Sequence, residues 1–227
     1  MANAESKFIR VFALIIASAG FGLESRAQIG GSGWVPQHLD FAIHKPYNVP
    51  LSSRYTEADG VYHLWAFTND AAFSAGNKTL PRTEHRFKPD YTSGEIQYQA
   101  MLMARTNENS YCIFQIHTGD AQSPGHGATT FMLFWFSKDG GSVHDYSGKE
   151  LARNLGNDWF QLNVDHNLVT HTITVWINSQ QVWRQRDNGA SDFYFKDGVY
   201  QQRHSPTLQM DTFIKEIKIW TCSGQGG

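Results

Sequence analysis

Beyond residue 33 the apolar residues recur with a period of two, in short runs broken by turn-forming residues, and no long segment carries the 3.6-residue period of an amphipathic helix. Runs at residues 61–67, 94–103, 111–117, 130–137, 159–164, 171–177, 181–185 and 213–220 read as strands of ordinary length. Turns are expected at residues 139–141, 165–169 and 178–179, and a turn-rich patch covers residues 68–78. Short helical turns near residues 35–41 and 149–154 stay open. There is no internal repeat. Strands this closely spaced, without intervening helices, predict a two-sheet sandwich or jelly roll.

Residues 194–202, Tyr-Phe-Lys-Asp-Gly-Val-Tyr-Gln-Gln, are the most informative run. As a strand they send Tyr194, Lys196, Gly198, Tyr200 and Gln202 to one face and Phe195, Asp197, Val199 and Gln201 to the other. Phenols, an ammonium and an amide in a row suit a hydroxylated, negatively charged ligand, and Gly198 would let that ligand approach the backbone. Taken alone, the stretch reads equally well as a solvated edge strand.

Composition narrows the class. Residues 1–27 read as a secretory signal: Lys7 and Arg10 precede an apolar run from 11 to 23, and Ser25-Arg26-Ala27 supplies small residues where a signal peptidase reads. The run is too short for a membrane span. Residues 28–227 then form one exported domain, its glycine-rich start at 28–33 expected to be mobile. Removing Lys7, Arg10 and Arg26 against Glu5 and Glu24 makes the formal charge of −2 one unit more negative, which argues against a nucleic-acid surface. The mature chain is expected to be a monomer without membrane contact. Seven Trp, nine Tyr and fifteen Phe favour strands and sugar-facing aromatic surfaces. Cys112 and Cys222 are the two cysteines; a disulfide and two buried thiols both stay open. Asn77-Lys78-Thr79 is a glycosylation sequon, relevant in a eukaryotic source.

Two further strands carry polar residues in telling places. In residues 82–86, Arg-Thr-Glu-His-Arg, alternation puts Arg82, Glu84 and Arg86 on one side, where Glu84 can orient two guanidiniums toward an anion. An exposed charge ladder is the plainer reading. In residues 111–117, Gln115 and His117 share a face, with Cys112, Phe114 and Ile116 pointing to the core.

Together the three stretches resemble polysaccharide lyase family 7, the alginate lyases, whose pattern runs Arg-Ser/Thr-Glu-x-Arg, Gln-Ile/Val-His and Tyr-Phe-Lys-x-Gly-x-Tyr-x-Gln in that order; here they stand as RTEHR, QIH and YFKDGVYQQ. The resemblance implies an all-β jelly roll, a concanavalin-like two-sheet sandwich with an open concave groove for an acidic polysaccharide. It also implies metal-independent β-elimination on a 4-linked polyuronate, with no cofactor. Elimination removes the hydrogen on C5 and expels the oxygen on C4, so the carboxylate must be neutralised as an enolate develops. By resemblance that falls to Arg82, Gln115 and His117, with Glu84 and Arg86 shaping the subsite. Tyr200 handles the proton, as a phenolate helped by Lys196, Arg82 or Arg86, or as acid with His117 as base on the opposite C5 configuration. Lys196, Tyr194 and Gln202 are read as groove-lining binders.

Three positions depart from the family pattern. His85 stands where an aliphatic residue is usual, and a buried imidazole there needs a partner. Asp197 and Gln201 replace the usual Ala and Asn. Isoleucine between Gln115 and His117 leans toward guluronate-containing substrates. Residues 118–130, glycine-rich and directly after His117, are a candidate lid. The spacings of His117, His126, His144, His166 and His171 fit no compact metal motif. The rival readings are a lyase for another uronan such as a glucuronan, a non-catalytic sugar-binding module, and more distantly a glycoside hydrolase, which would need two flanking carboxylic acids where the motifs offer only Glu84.

Overall fold

The computed structural model describes residues 33–105, 110–119, 128–202 and 208–222. The expected leader at 1–27, all but the last residue of the glycine-rich start, residues 120–127 of the candidate lid and His126 lie outside the described residues.

The described residues form two antiparallel sheets. One holds β1 (Trp34–Pro36), β3 (Tyr55–Ala58), β4 (Val61–Phe67), β6 (Glu95–Arg105), β11 (Phe160–Asn167), β12 (Thr172–Ile177), β13 (Gln180–Arg186) and β15 (Gln209–Cys222), in the order β13-β12-β11-β6-β15-β4-β3 with β1 also on β15. The other holds β2 (Asp40–His44), β5 (Arg82–Lys88), β7 (Ser110–Thr118), β8 (Thr129–Phe136), β9 (Ser142–Asp145), β10 (Glu150–Ala152) and β14 (Phe193–Gln201), in the order β10-β9-β8-β7-β14-β5-β2. Among the described residues there is no α-helix, only two 3-10 turns, Leu51–Ser53 and Lys138–Gly140. This is the expected all-β, two-sheet jelly roll.

All eight expected strands form. Residues 35–41 and 149–154, left open as helical turns, instead supply β1, the start of β2, and β10. The expected turn at 165–169 begins later, because Asp165, His166 and Asn167 keep pairing with β6 and β12. Asn178 and Ser179 do form the two-residue link from β12 to β13. Both take positive φ (50° and 66°), the twist such hairpins need.

The core lies between the sheets. Leu64, Tyr98, Leu102 and Val164 from one meet Phe114, Phe131, Trp135, Phe195 and Val199 from the other, all buried. Alternation along β14 falls as the sequence predicts, with one exception on its neighbour. Between Cys112 and Phe114 the β7–β8 pairing shifts register, so Ile113 and Phe114 both enter the core. Cys112, expected to face the core, therefore sits on the outer face of the seven-stranded sheet with Met132, Phe134 and Tyr200. Cys112 and Cys222 are free thiols.

Candidate active site

The order β7-β14-β5-β2 puts the three motif strands side by side, and their register lines up the polar residues. Tyr200 is opposite Arg82, Gly198 opposite Glu84, and Lys196 opposite Arg86 on one side and Gln115 on the other. Tyr194 is opposite His117, and His44 of β2 is opposite Glu84. Arg82, Gln115, His117 and Tyr200 therefore share one outer face, which the two-residue period sets once the strands are paired.

Glu84 is the hub. It is 2 % exposed, and its Oε2 accepts from Lys196 Nζ at 2.8 Å and from Arg82 Nη1 at 3.3 Å, while its Oε1 accepts from Gln115 Nε2. Burial alone would raise its pKa; Lys196, then Arg82, reverse that and hold the carboxyl below its ordinary value. Gln115 is fixed at its other end by Thr129, whose hydroxyl donates to Oε1 at 3.3 Å. Two cations against one carboxylate leave the centre of the face with one unit of positive charge.

Lys196, expected to line the groove, does not: it is 2 % exposed and its ammonium is engaged by Glu84 beneath the surface. Burial pulls its pKa below the usual lysine value, with Glu84 opposing. Gly198 is likewise reassigned. A Cβ there would stand 2.4 Å from the Thr83 carbonyl oxygen and 3.0 Å from Leu64, so the glycine admits neighbouring chain, not ligand, at φ +129°.

The arginines are held by aromatic rings. The Arg82 guanidinium lies 3.8 Å from the Tyr200 ring centre and 5.2 Å from Phe73; that of Arg86 lies 3.8 Å from Tyr194. Arg86 also pairs with Asp90 rather than with Glu84. Of the three cations expected to ease ionisation of Tyr200, Arg82 is the one against its ring. Burial outweighs it: the phenol's pKa is raised above 10.0, with Arg82 opposing and Glu84 reinforcing. Tyr194 stacks on His117, centroids 5.2 Å apart. His117 Nδ1 is 2.7 Å from the Thr118 carbonyl oxygen, so Nδ1–H donates and the neutral ring carries its lone pair on Nε2. Burial lowers the pKa of His117 below 6.5, the Thr118 bond opposing.

Two of the departures from the family pattern answer each other. His85 and Asp197 are cross-strand partners, 0 % exposed, with Nδ1 to Oδ1 at 2.6 Å, and Tyr98 of the opposite sheet donates its hydroxyl to Asp197 Oδ2 at 2.5 Å. His85 therefore points into the core, one layer beneath the outer face.

Sequence reasoning missed His44. Its ring stacks on Phe73 at 4.9 Å, and its pKa is lowered to about 4, chiefly by burial and then by Lys196. The alternation Asp40, Ala42, His44 was its signal, in a five-residue run whose start overlaps the stretch 35–41 left open as a helical turn and whose end carries no sequence reading. Beside Tyr200 the face deepens into a groove of ≈ 670 Å³, bordered by residues 77–80, Tyr146, Gln201 and Gln202. Gln202 is at the edge of this groove, its Nε2 donating to the Tyr200 carbonyl at 3.2 Å.

The sequence pattern of the family described as alginate lyase matches residues 40–220, most of the chain and all three motif strands. The chain belongs to the alginate lyase family. It is therefore a polysaccharide lyase of two-sheet, jelly-roll form. A citrate-binding protein from Hevea brasiliensis is 32 % identical over 182 residues, 80 % of this chain and 73 % of that protein. Among solved structures, alginate lyase PA1167 from Pseudomonas aeruginosa superposes with a TM-score of 0.63 at 17 % identity, covering 79 % of this chain and 96 % of that one. A variant of the family 7 alginate lyase A1-II′ in complex with substrate GGMG gives 0.64 at 13 % identity, over 84 % and 95 %. At those identities the two alginate lyase structures speak to the fold.

Proposed function

We propose that this alginate lyase family member cleaves a 4-linked polyuronate, most directly alginate, by metal-independent β-elimination on the outer face of the seven-stranded sheet. One observation carries the reading: Arg82, Gln115 and His117 stand on the same face as Tyr200, around a centre with one uncompensated positive charge. That charge matches a single sugar carboxylate. Arg82 and the Gln115 amide bind the carboxylate more tightly as it becomes an enolate, while Glu84 and the buried Lys196 hold Arg82 and Gln115 in place.

The electrostatics support a division of the proton work. His117, neutral at neutral pH with Nε2 unprotonated, takes the C5 proton. Tyr200, protonated at the same pH, gives its hydroxyl proton to the departing C4 oxygen. The C5–H electrons form the C4–C5 double bond as the C4–O bond breaks, leaving an unsaturated uronate. The test is to incubate purified protein with polymannuronate, polyguluronate and glucuronan and follow the ultraviolet absorbance of that product. A rise on the alginate blocks is expected; a rise on glucuronan alone would move the substrate to another uronan, and silence on all three would refute the reading.

A second reading has one specific support, the citrate-binding relative at 32 % identity. In it the same cationic face retains a small polycarboxylate without bond cleavage. Citrate binding by calorimetry with no product from any uronan would favour it.

A further inference from the structure

The sequon Asn77-Lys78-Thr79 is the one Asn-x-Ser/Thr in the chain, and it falls in the connection between β4 and β5 that borders the groove beside Tyr200. Lys78 and Thr79 are exposed, and Asn77 is half-buried. The local backbone is a turn on which a transferase can close. Gly76 takes φ +80°, the Asn77 N–H donates to the Ser74 carbonyl at 3.2 Å, and the Asn77 Oδ1 accepts from the Thr79 N–H at 2.7 Å. That last bond folds the asparagine side chain back over its own sequon as an Asx turn. It occupies the amide oxygen, and among the described residues nothing accepts a hydrogen bond from Nδ2.

We propose that Asn77 is an N-glycan acceptor and that its glycan stands at the rim of the groove, restricting entry of long polyuronate chains on the Gln202 side. The donor is a lipid-linked diphospho-oligosaccharide of a eukaryotic secretory pathway. A bond forms between Nδ2 and the sugar C1, the C1–O bond to diphosphate breaks with its electron pair leaving on the diphosphate, and Nδ2 loses a proton. The chemistry requires export, for which residues 1–27 have the composition, and a surface turn, which residues 74–79 provide. A 32 % identical relative in a plant places the family in organisms that carry out this transfer. The placement matters because the same groove is walled by Tyr200 and by Tyr146, a residue that is 78 % exposed. A branched, hydrated oligosaccharide on one wall narrows it for a polymer and leaves a short oligomer room.

The restriction rests on the lyase reading of the site; the acceptor does not. The full chain, leader included, is to be expressed in a eukaryotic secretory host beside Thr79→Ala. Intact mass should show one glycan on the first and none on the second. Affinity electrophoresis in polyuronate gels should show several-fold weaker binding of the glycosylated form than of the same protein trimmed by endoglycosidase, with a uronate tetramer bound equally by both. A wild-type mass equal to the bare polypeptide overturns the acceptor assignment. Equal polymer affinity in the two forms overturns the rim placement. Failure of every form to release unsaturated product would instead count against the lyase reading, with mass and affinity still deciding this one.

Discussion

Glu84 shows how a single residue sets the character of the site. Buried between Lys196 and Arg82, it spends one positive charge beneath the surface and leaves the other, 6 % exposed, on the outer side of the sheet, held also by the Tyr200 and Phe73 rings. The proposed acid–base pair rests on burial. A base with a pKa lowered from 6.5 and an acid with a pKa raised from 10.0 are both in their working states across the interval between. The pH profile of kcat/KM should therefore be broad, with its acid limb below 6.5 and its alkaline limb above 10. A narrow bell centred on neutrality would contradict these assignments. His44 makes a separate prediction on stability. Its folded pKa of about 4 lies below the ordinary 6.5, so the stability it contributes is complete above 6.5 and is lost as pH falls through 4. The difference is worth at most about 3 kcal/mol, less with solvent screening. Chemical denaturation of His44→Gln should show a shallower loss between pH 6.5 and 4 than wild type; parallel curves would remove His44 from the account.

Between elements, the contact that matters is β5 on β14. Close approach at Gly198 brings the strands' backbones together, and the His85–Asp197 pair fastens them from the core side, with Tyr98 tying in the second sheet. Asp197→Ala alone strands two buried donors, at a cost of about 1–3 kcal/mol each. His85→Val with Asp197→Ala restores the apolar layer usual in the family, and the double variant should be more stable than the sum of the singles by about 0.5–3 kcal/mol. Denaturant midpoints that add would show that the pair is not coupled. These elements also show what could be read in advance. The period-two pattern carried the sandwich and the outward set Arg82, Glu84, Gln115, His117 and Tyr200, because strand alternation is local. It could not carry the β7 bulge that turned Cys112 outward, since a register shift depends on the partner strand. Nor could it show Lys196 sinking against Glu84, because which cations a carboxylate captures is decided across strands 112 residues apart. The edge strand β2 escaped for a related reason: five residues with one alternating face carry too little signal until β5 is beside them.

At the scale of the whole molecule, one sheet and its core act as a support, and the seven-stranded sheet carries the cationic face and the groove beside it. The architecture explains why residues from Arg82 to Tyr200, spread over more than half the chain, meet on one surface. In the proposed reaction binding and chemistry are separate: Arg82, Gln115 and the groove wall hold the uronate, while the Tyr200 hydroxyl is needed only as the bond breaks. The most direct test is therefore Tyr200→Phe, measured for both polyuronate affinity and release of unsaturated product. The account predicts affinity close to wild type and product release lower by about 10²–10⁴-fold. Undiminished product release from Tyr200→Phe would contradict it.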